Sequence, residues 1–459
     1  MRRMTNLPER VSRRRRWPLL VSALIAVLII AISGVAGWWF LGGSEAWARS
    51  RWQPPEQTLL SSVRTQPVAG WRTDIAALGL PPESRITTGD TPWVPGPVIQ
   101  TATARAYLLA NSQDPSPQWW LTGFDSTDGR RLFAPVALNA TAAAPSCFIN
   151  GAAVVCISDE SGRATAWVID GQTGNLLHTG PTELRLVTGG KLIATQAGGY
   201  LVAAAKDEGL YGVGSQAETT WFVPGRGILG EHNENVAFQG AGAEESGITT
   251  MFSLEDGAII DPQLGEGNRF RNIHFIDGGF AATVEQDYFG PAFARFFDLN
   301  GRLTSDKRIK TTFVNTTANL TGIAEDDTFG VYDPHGTKLL NIDDGRSHGI
   351  HLIGDTLWVS ESDVTQSTVY RPYDMRTGDK GEPCEFDLGV GYLGSDGVVA
   401  VRAPVNLKSD LLADAYDLTT CERVWSIPRN GPFGRVTRVG DTLVRVSDDG
   451  TEIFSLVSP

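Results

Sequence analysis

The chain is poor in the residues that usually carry chemistry. Its 459 residues include four cysteines, four methionines and six histidines. No CxxC pair occurs, which argues against a zinc ribbon or a thioredoxin-type site. There is no GxSxG elbow, HExxH helix, P-loop or DxDxDG calcium loop, so the common hydrolase, zinc-protease, nucleotide and calcium chemistries lack their scaffolds. No amphipathic helical period of useful length appears, and the 51 glycines and 25 prolines leave few long runs free of either. Basic charge is scarce beyond the N-terminus. Residues 1–44 hold seven arginines and Glu9, a net +6, which leaves −19 on the rest of a chain whose total is −13. A body that acidic lacks the clustered Lys and Arg that nucleic acid requires, so no nucleic-acid partner is expected.

Charge is also missing from Trp17 to Ser44. The stretch is long enough to cross a bilayer as a helix of about 20 residues. Trp17 and Trp38-Trp39-Phe40 suit the two interfacial belts, and Arg13–Arg16 precede the stretch. The positive-inside rule then predicts a basic cytoplasmic tail over 1–16, a lipid-contacting transmembrane helix over 17–42 and an extracytoplasmic remainder. A cleaved signal peptide is the rival reading, since Ala46-Trp47-Ala48 offers a small-x-small site. The apolar run exceeds the roughly 7–15 residues of a signal core, which favours the uncleaved anchor. Residues 43–67 are polar with a Pro-Pro pair and read as a stalk.

What remains, 68–459, is dominated by short alternating runs such as KLIATQ, GGFAATVE and DTLVRVSD, separated by Gly, Asp, Asn and Ser. This pattern predicts an all-β body. One unit recurs. In AWVIDGQTGNLLHTG (166–180) two strands flank an Asp/Gly turn, and looser copies carry Asp298 with Gly301, Asp333 with Gly336, Asp374 with Gly378, and Asp417. Markers at Gly129, Gly174, Asp256, Gly301, Gly336, Gly378 and Thr420 are separated by 45, 82, 45, 35, 42 and 42 residues, and the double step hides a degenerate copy at 209–225. A period of about 40 residues built from short strands predicts propeller blades of four strands each.

Val168, Asp170, Thr173, Gly174, Leu176 and Leu177, with Tyr373, Asp374, Thr377 and Gly378, and with Tyr416, Asp417, Thr419, Val424 and Trp425, carry a pattern of apolar-x-Asp-x-x-Thr-Gly-x-apolar-apolar, often ending in Trp. This resembles the PQQ-like (quinoprotein-like) β-propeller repeat. The resemblance implies that each Asp starts a turn by accepting backbone amides ahead of it, that Gly takes the positive φ, and that the following Trp or large aliphatic packs between blades. Trp71 and Trp425 occupy such packing positions. The Ala/Gly/Arg-rich style also resembles that of bacterial proteins from high-GC actinobacteria.

The two ends of the body are complementary. The last segment, RVTRVGDTLVRVSDDGTEIFSLVSP, supplies three strands, and 67–78, with Trp71, supplies an orphan fourth. Pairing them would close the ring and remove both edges. Turn counting gives eight repeats plus this composite, one more than the usual maximum. The expectation is therefore eight blades, with seven or nine allowed.

The cysteines fit two disulfides in an oxidising compartment. If Gly151-Ala152 forms a type II′ turn, Cys147 falls directly opposite Cys156 in a hairpin, whereas an Asn150-Gly151 turn would place them diagonally. Cys384 and Cys421 follow equivalent turns in consecutive repeats, so a bridge there would tie two blades together.

The resemblance also implies an enzymatic alternative, a dehydrogenase holding pyrroloquinoline quinone and calcium. The adjacent cysteine pair usual in such enzymes is absent here. Asp343, Asp344, His348 and His351 form the densest set of candidate ligands, but His348 and His351 would face opposite ways on an extended strand. Acidic turns at Glu244-Glu245, Glu325–Asp327 and Asp448-Asp449 read as solvated. The expected function is a non-catalytic binding or scaffold module at the cell envelope, with no cofactor or metal and with a membrane or envelope protein as partner. A quinoprotein-type or other propeller enzyme and an envelope ligand sensor are the alternatives.

Overall fold

A computed structural model describes residues 43–459 apart from 88–97, 101–103, 113–117, 141–143, 161, 187–190, 241–249, 287–289, 312, 344–348, 363–367, 390 and 405–408. The tail at 1–16 and the expected spanning segment at 17–42 lie outside these residues, as do Asp344, His348 and Glu244-Glu245. Among the described residues no helix is long and apolar enough to cross a membrane.

Nine sheets follow one another along the described residues, antiparallel except where Leu184–Arg185 pairs in parallel with Leu192–Ala197. Eight are sequential, over residues 84–137, 146–182, 184–224, 229–260, 269–310, 313–342, 350–374 and 392–428. The ninth joins Arg435–Val439, Thr442–Val446 and Glu452–Val457 to Val68–Asp74 from the other end of the body. We number these blades 1 to 9. The ring therefore has nine blades rather than the expected eight. Every unit counted in the sequence is a true blade, including the degenerate copy, which forms the strands Gly209–Val213 and Thr219–Pro224 of blade 3.

The blades depart from a uniform four strands. Blades 1 and 3 have five, and blade 7 has three, Ile350–Ile353, Thr356–Ser362 and Thr368–Asp374. In place of its fourth strand, only isolated bridges join Tyr373 to Lys380 and Tyr370 to Cys384. Gly381 and Pro383 interrupt that stretch, and proline has no amide to give to a ladder.

The residue pattern explains the layering. Second strands such as Gly279–Glu285 and Leu320–Ala324 are buried along their whole length, and apart from Glu285, which Arg269 pairs, they consist of small and apolar residues. Outermost strands such as Leu176–Thr182 alternate between exposed and half-buried. The core lies between blades. Around the junction of blades 4 and 5, the Phe280 ring stacks on Phe297 with centroids 4.9 Å apart and meets Phe238 edge-on at 5.1 Å. Such pairs add about 0.5–1.5 kcal/mol beyond area burial.

Where a blade has both, antiparallel order puts its first-to-second and third-to-fourth turns at one end of the ring. We call this the turn face. The second-to-third and blade-to-blade connections lie at the other end.

Candidate functional site

The turn face is built from the recurring Asp/Gly turn. Asp170 Oδ1 accepts the Gln172 and Thr173 amides at 3.0 and 2.7 Å and the Thr173 hydroxyl at 2.8 Å. Those hydrogen bonds hold its carboxyl below the usual carboxylate range. Asp374 and Asp417 repeat the amide pair, Asp374 with Arg376 and Thr377, and Asp417 with Thr419 and Thr420. The Gly174 and Gly378 amides donate back to the carbonyls of Asp170 and Asp374. Asp298 with Gly301 and Asp333 with Gly336 make a turn one residue shorter. In blade 4 the turn starts at Ser253, which accepts the Gly257 amide through its carbonyl, and Asp256 sits inside the turn rather than at its head. In blade 8 the glycine position is held by Cys421, whose φ of 63° is left-handed.

Each turn glycine caps a slot filled by the preceding blade. A Cβ added to Gly129 would lie 2.3 Å from the Trp71 ring, and one on Gly257 would lie 2.8 Å from Trp221. Trp71 also donates its indole N–H to the Ser126 carbonyl at 3.0 Å. At Gly174 the filling ring is Phe133, 2.4 Å from an added Cβ, and φ is +71°. Gly174→Ala should therefore lose about 1–2 kcal/mol to backbone strain and about 1–3 kcal/mol more to overpacking. Gly151 has φ +62° with no heavy atom within 4 Å of an added Cβ, so Gly151→Ala isolates the backbone part. Urea midpoints of the two variants check the difference, which vanishes if the slot does not matter.

Two slots are filled differently. Between blades 6 and 7 the occupant is Arg49, from the helix Ser44–Arg51. Its guanidinium lies against Gly378 and donates to the carbonyls of Leu339 at 2.7 Å and Thr377 at 2.9 Å. Between blades 7 and 8 the occupant is the disulfide Cys384–Cys421. This is the interblade bridge expected from the equivalent turn positions. The second disulfide joins Cys147 to Cys156. These residues pair directly in register, with Asn150 opposite Ala153, as the type II′ alternative requires.

The composite blade 9 has no third-to-fourth turn, because the ring closes there between two chain segments. Residues 57–63 run across the first-to-second turns of blades 7, 8 and 9 to reach this seam. Gln57 exchanges hydrogen bonds with Gly354, the Leu60 amide donates to the Ser395 carbonyl, and the Ser61 amide to the Asp441 carbonyl. The Val63 amide donates to Asp396, while its carbonyl accepts the Trp425 indole N–H at 2.7 Å. Trp425 thus finds in Val63 what Trp71 finds in Ser126. Beside this seam is a cavity of about 190 Å³, lined in part by Leu60, Trp71, Leu443 and Val457. The reading of 43–67 as a stalk is corrected. Ala48, Trp52, Leu60 and Val63 are buried in the blade cores, so the segment is a strap laid on the ring. Its apolar residues are too sparse to show a period, which is why it reads as linker.

Titratable groups away from the turns are mostly absorbed by packing. Asp414 is 1% exposed and is held by a two-point contact from Arg402, at 2.7 and 3.0 Å, and by the Tyr416 hydroxyl at 3.0 Å. His351 sits between the rings of Tyr370 and Tyr392, at 5.8 and 5.6 Å. Burial pushes its pKa below the usual histidine value, and Asp387 pulls the other way. Burial also raises Tyr370 and Tyr392 to about 12. Because His351 takes up a proton more readily unfolded than folded, stability should fall as pH drops below about 6.5 towards its folded value. His274 adds in the same direction. Urea midpoints at about pH 7.5 and 5.5 should differ less in His351→Gln than in the wild type, and an equal difference would count against the assignment. No group of three or more His, Cys, Asp or Glu converges on a metal position among the described residues.

Comparison with known proteins places this geometry. An uncharacterised protein of Mycolicibacterium smegmatis (strain MKD8) is 32% identical over 467 residues, covering 96% of each chain. Among solved structures, the computationally designed protein Ika8 matches with a TM-score of 0.39 and 15% identity over 71% of this chain and 99% of its own. BamB from Moraxella catarrhalis matches with a TM-score of 0.36 and 13% identity over 85% of this chain and 98% of its own. The conjugation-associated 9-bladed β-propeller domain matches residues 44–459, from the first residues of the strap to the last strand of the seam. With nine blades counted in the sheets and the strap inside the matched range, the chain belongs to the family of conjugation-associated nine-bladed β-propeller domains.

Proposed function

We propose that this protein is a membrane-anchored, non-catalytic scaffold of a conjugation apparatus, with its ring on the extracytoplasmic side. The strap carries the reading. Chain leaving residue 42 is not handed to a loose tether but is locked onto blades 6 to 9 through Arg49, Gln57, Leu60 and Val63. A ring held that way presents its outer surface in a fixed position, which is what a scaffold needs. The family's description supplies the process. The two disulfides support an oxidising compartment, and the uncharged run at 17–42 supports the anchor. The Asp/Gly turns support kinship with PQQ-like propellers in blade construction alone.

The test is mild crosslinking of the tagged full-length chain in membranes of its own host, followed by affinity purification, together with transfer frequency in a deletion strain. The expected result is one stoichiometric membrane partner and a drop in conjugation that the full chain restores. Normal transfer in the deletion strain with no partner recovered would overturn the proposal.

A further inference from the structure

The helix Ser44–Arg51 has two unlike sides. One is spent on the ring: Ala48, Arg49 and Trp52 are buried, and Arg49 bonds to blades 6 and 7. The other carries Trp47, 43% exposed, with Ser50 and Arg51 beside it. The Arg51 guanidinium lies 3.7 Å from the Trp47 ring centroid. Trp47 and Arg51 are four residues apart, hence on one helical face.

The place of this face in the chain says what it meets. The uncharged run ends at Ser44, where the helix begins. Eight helical residues span only about 12 Å, so nothing on the helix lies far from the end of that run. Tryptophan is enriched at the boundary between hydrocarbon and headgroups. Arginine there lays its stem along apolar surface and keeps its charge among the phosphates. The −19 carried by the body after residue 44 would repel anionic lipid from the rest of the ring, which limits contact to this corner.

We propose that the Trp47–Arg51 face of the helix Ser44–Arg51 seats in the headgroup layer of the bilayer and clamps the corner formed by blades 6 and 7 against the membrane. The proposal rests on the anchored reading above and adds its contact surface. The ring then does not swing on a tether. Blades 6 and 7 stay near the lipid, and the far blades are the ones open to extracytoplasmic partners.

The chain has no free cysteine among its four, all of which are in disulfides, so single probes can be added. Full-length Ser50→Cys and, as control, Lys206→Cys on exposed surface of blade 3 are labelled with a fluorophore. Each is reconstituted in vesicles of phosphatidylcholine and phosphatidylglycerol containing headgroup spin-labelled lipid. Gln53→Cys provides a second probe beside the helix, in case Ser50→Cys disturbs the fold. The expected result is that the protein floats with the vesicles and that the helix probes are quenched several-fold more than the blade 3 probe. Adding Trp47→Ser and Arg51→Ser should reduce that quenching without releasing the protein. Flotation with equal quenching at all positions would overturn the proposal alone and leave this face to a protein partner. A chain that fails to float would overturn the anchor as well.

Discussion

A chain beginning at residue 75 should fail to form a closed ring. It lacks Val68–Asp74, whose register on Glu452–Val457 runs from Val68 opposite Val457 to Asp74 opposite Glu452. It also loses the Trp71 ring from the slot at Gly129, the Thr73 hydroxyl bond to the Gly129 carbonyl at 2.6 Å, and the Val63 carbonyl that satisfies Trp425. The edge of Glu452–Val457 becomes open, and an open apolar edge is a template for aggregation. The expected result is loss of the single sharp peak in size-exclusion chromatography and loss of a single cooperative urea transition. A chain beginning at residue 44 retains the strap and the closing strand and should keep both. If the two chains unfold at the same midpoint with the same slope, the seam is not what holds the ring.

The Cys384–Cys421 bridge is the second large term. It closes a loop of 37 residues between blades 7 and 8, for which chain entropy suggests about 3–4 kcal/mol. Cys384→Ala with Cys421→Ala should lose that amount and should also keep a non-glycine residue at φ +63°. Cys384→Ala with Cys421→Gly restores the residue that equivalent turns use and should recover about 1 kcal/mol. Removing Cys147–Cys156, with a separation of only 9, should cost about 1 kcal/mol less than removing the larger loop. Urea midpoints of the three double variants give the order. If the alanine and glycine versions at position 421 are equal, Cys421 is not strained by its place in the turn.

The blade construction was legible because it repeats. In blades 2, 7 and 8 an Asp that accepts two amides sits four residues before a left-handed position, so Asp170, Asp374 and Asp417 announce one another. The seam was legible because each end of the body is incomplete alone. Cys147 and Cys156 could be paired because a two-residue turn sets the register. Blade number was harder. Eight turns and the composite of the two ends add up to nine, one more than the usual maximum, which is why the expectation is eight.

The strap was not legible, for a physical reason. Arg49 recognises two backbone carbonyls, those of Leu339 and Thr377, 290 and 328 residues away. A carbonyl leaves no trace in the identity of the residue that bears it. Val63 likewise serves Trp425 through its main chain, so its side chain need not advertise the contact. Ser253 at the head of the blade 4 turn shows the same limit. The backbone accepts the Gly257 amide whether or not an Asp side chain is present.

The seam also sets an order in time. Arg72 and its partner Glu452 are 380 residues apart, so the closing strand is among the first parts made and its partner among the last. At about 5–20 residues per second, synthesis separates them by roughly 20–80 s. Eight blades can stack during that interval while the first strand waits unpaired, and only completion of the C-terminus ends the wait. Chaperones that shield extended strands should therefore be needed most by this protein before its last residues emerge, and little afterwards.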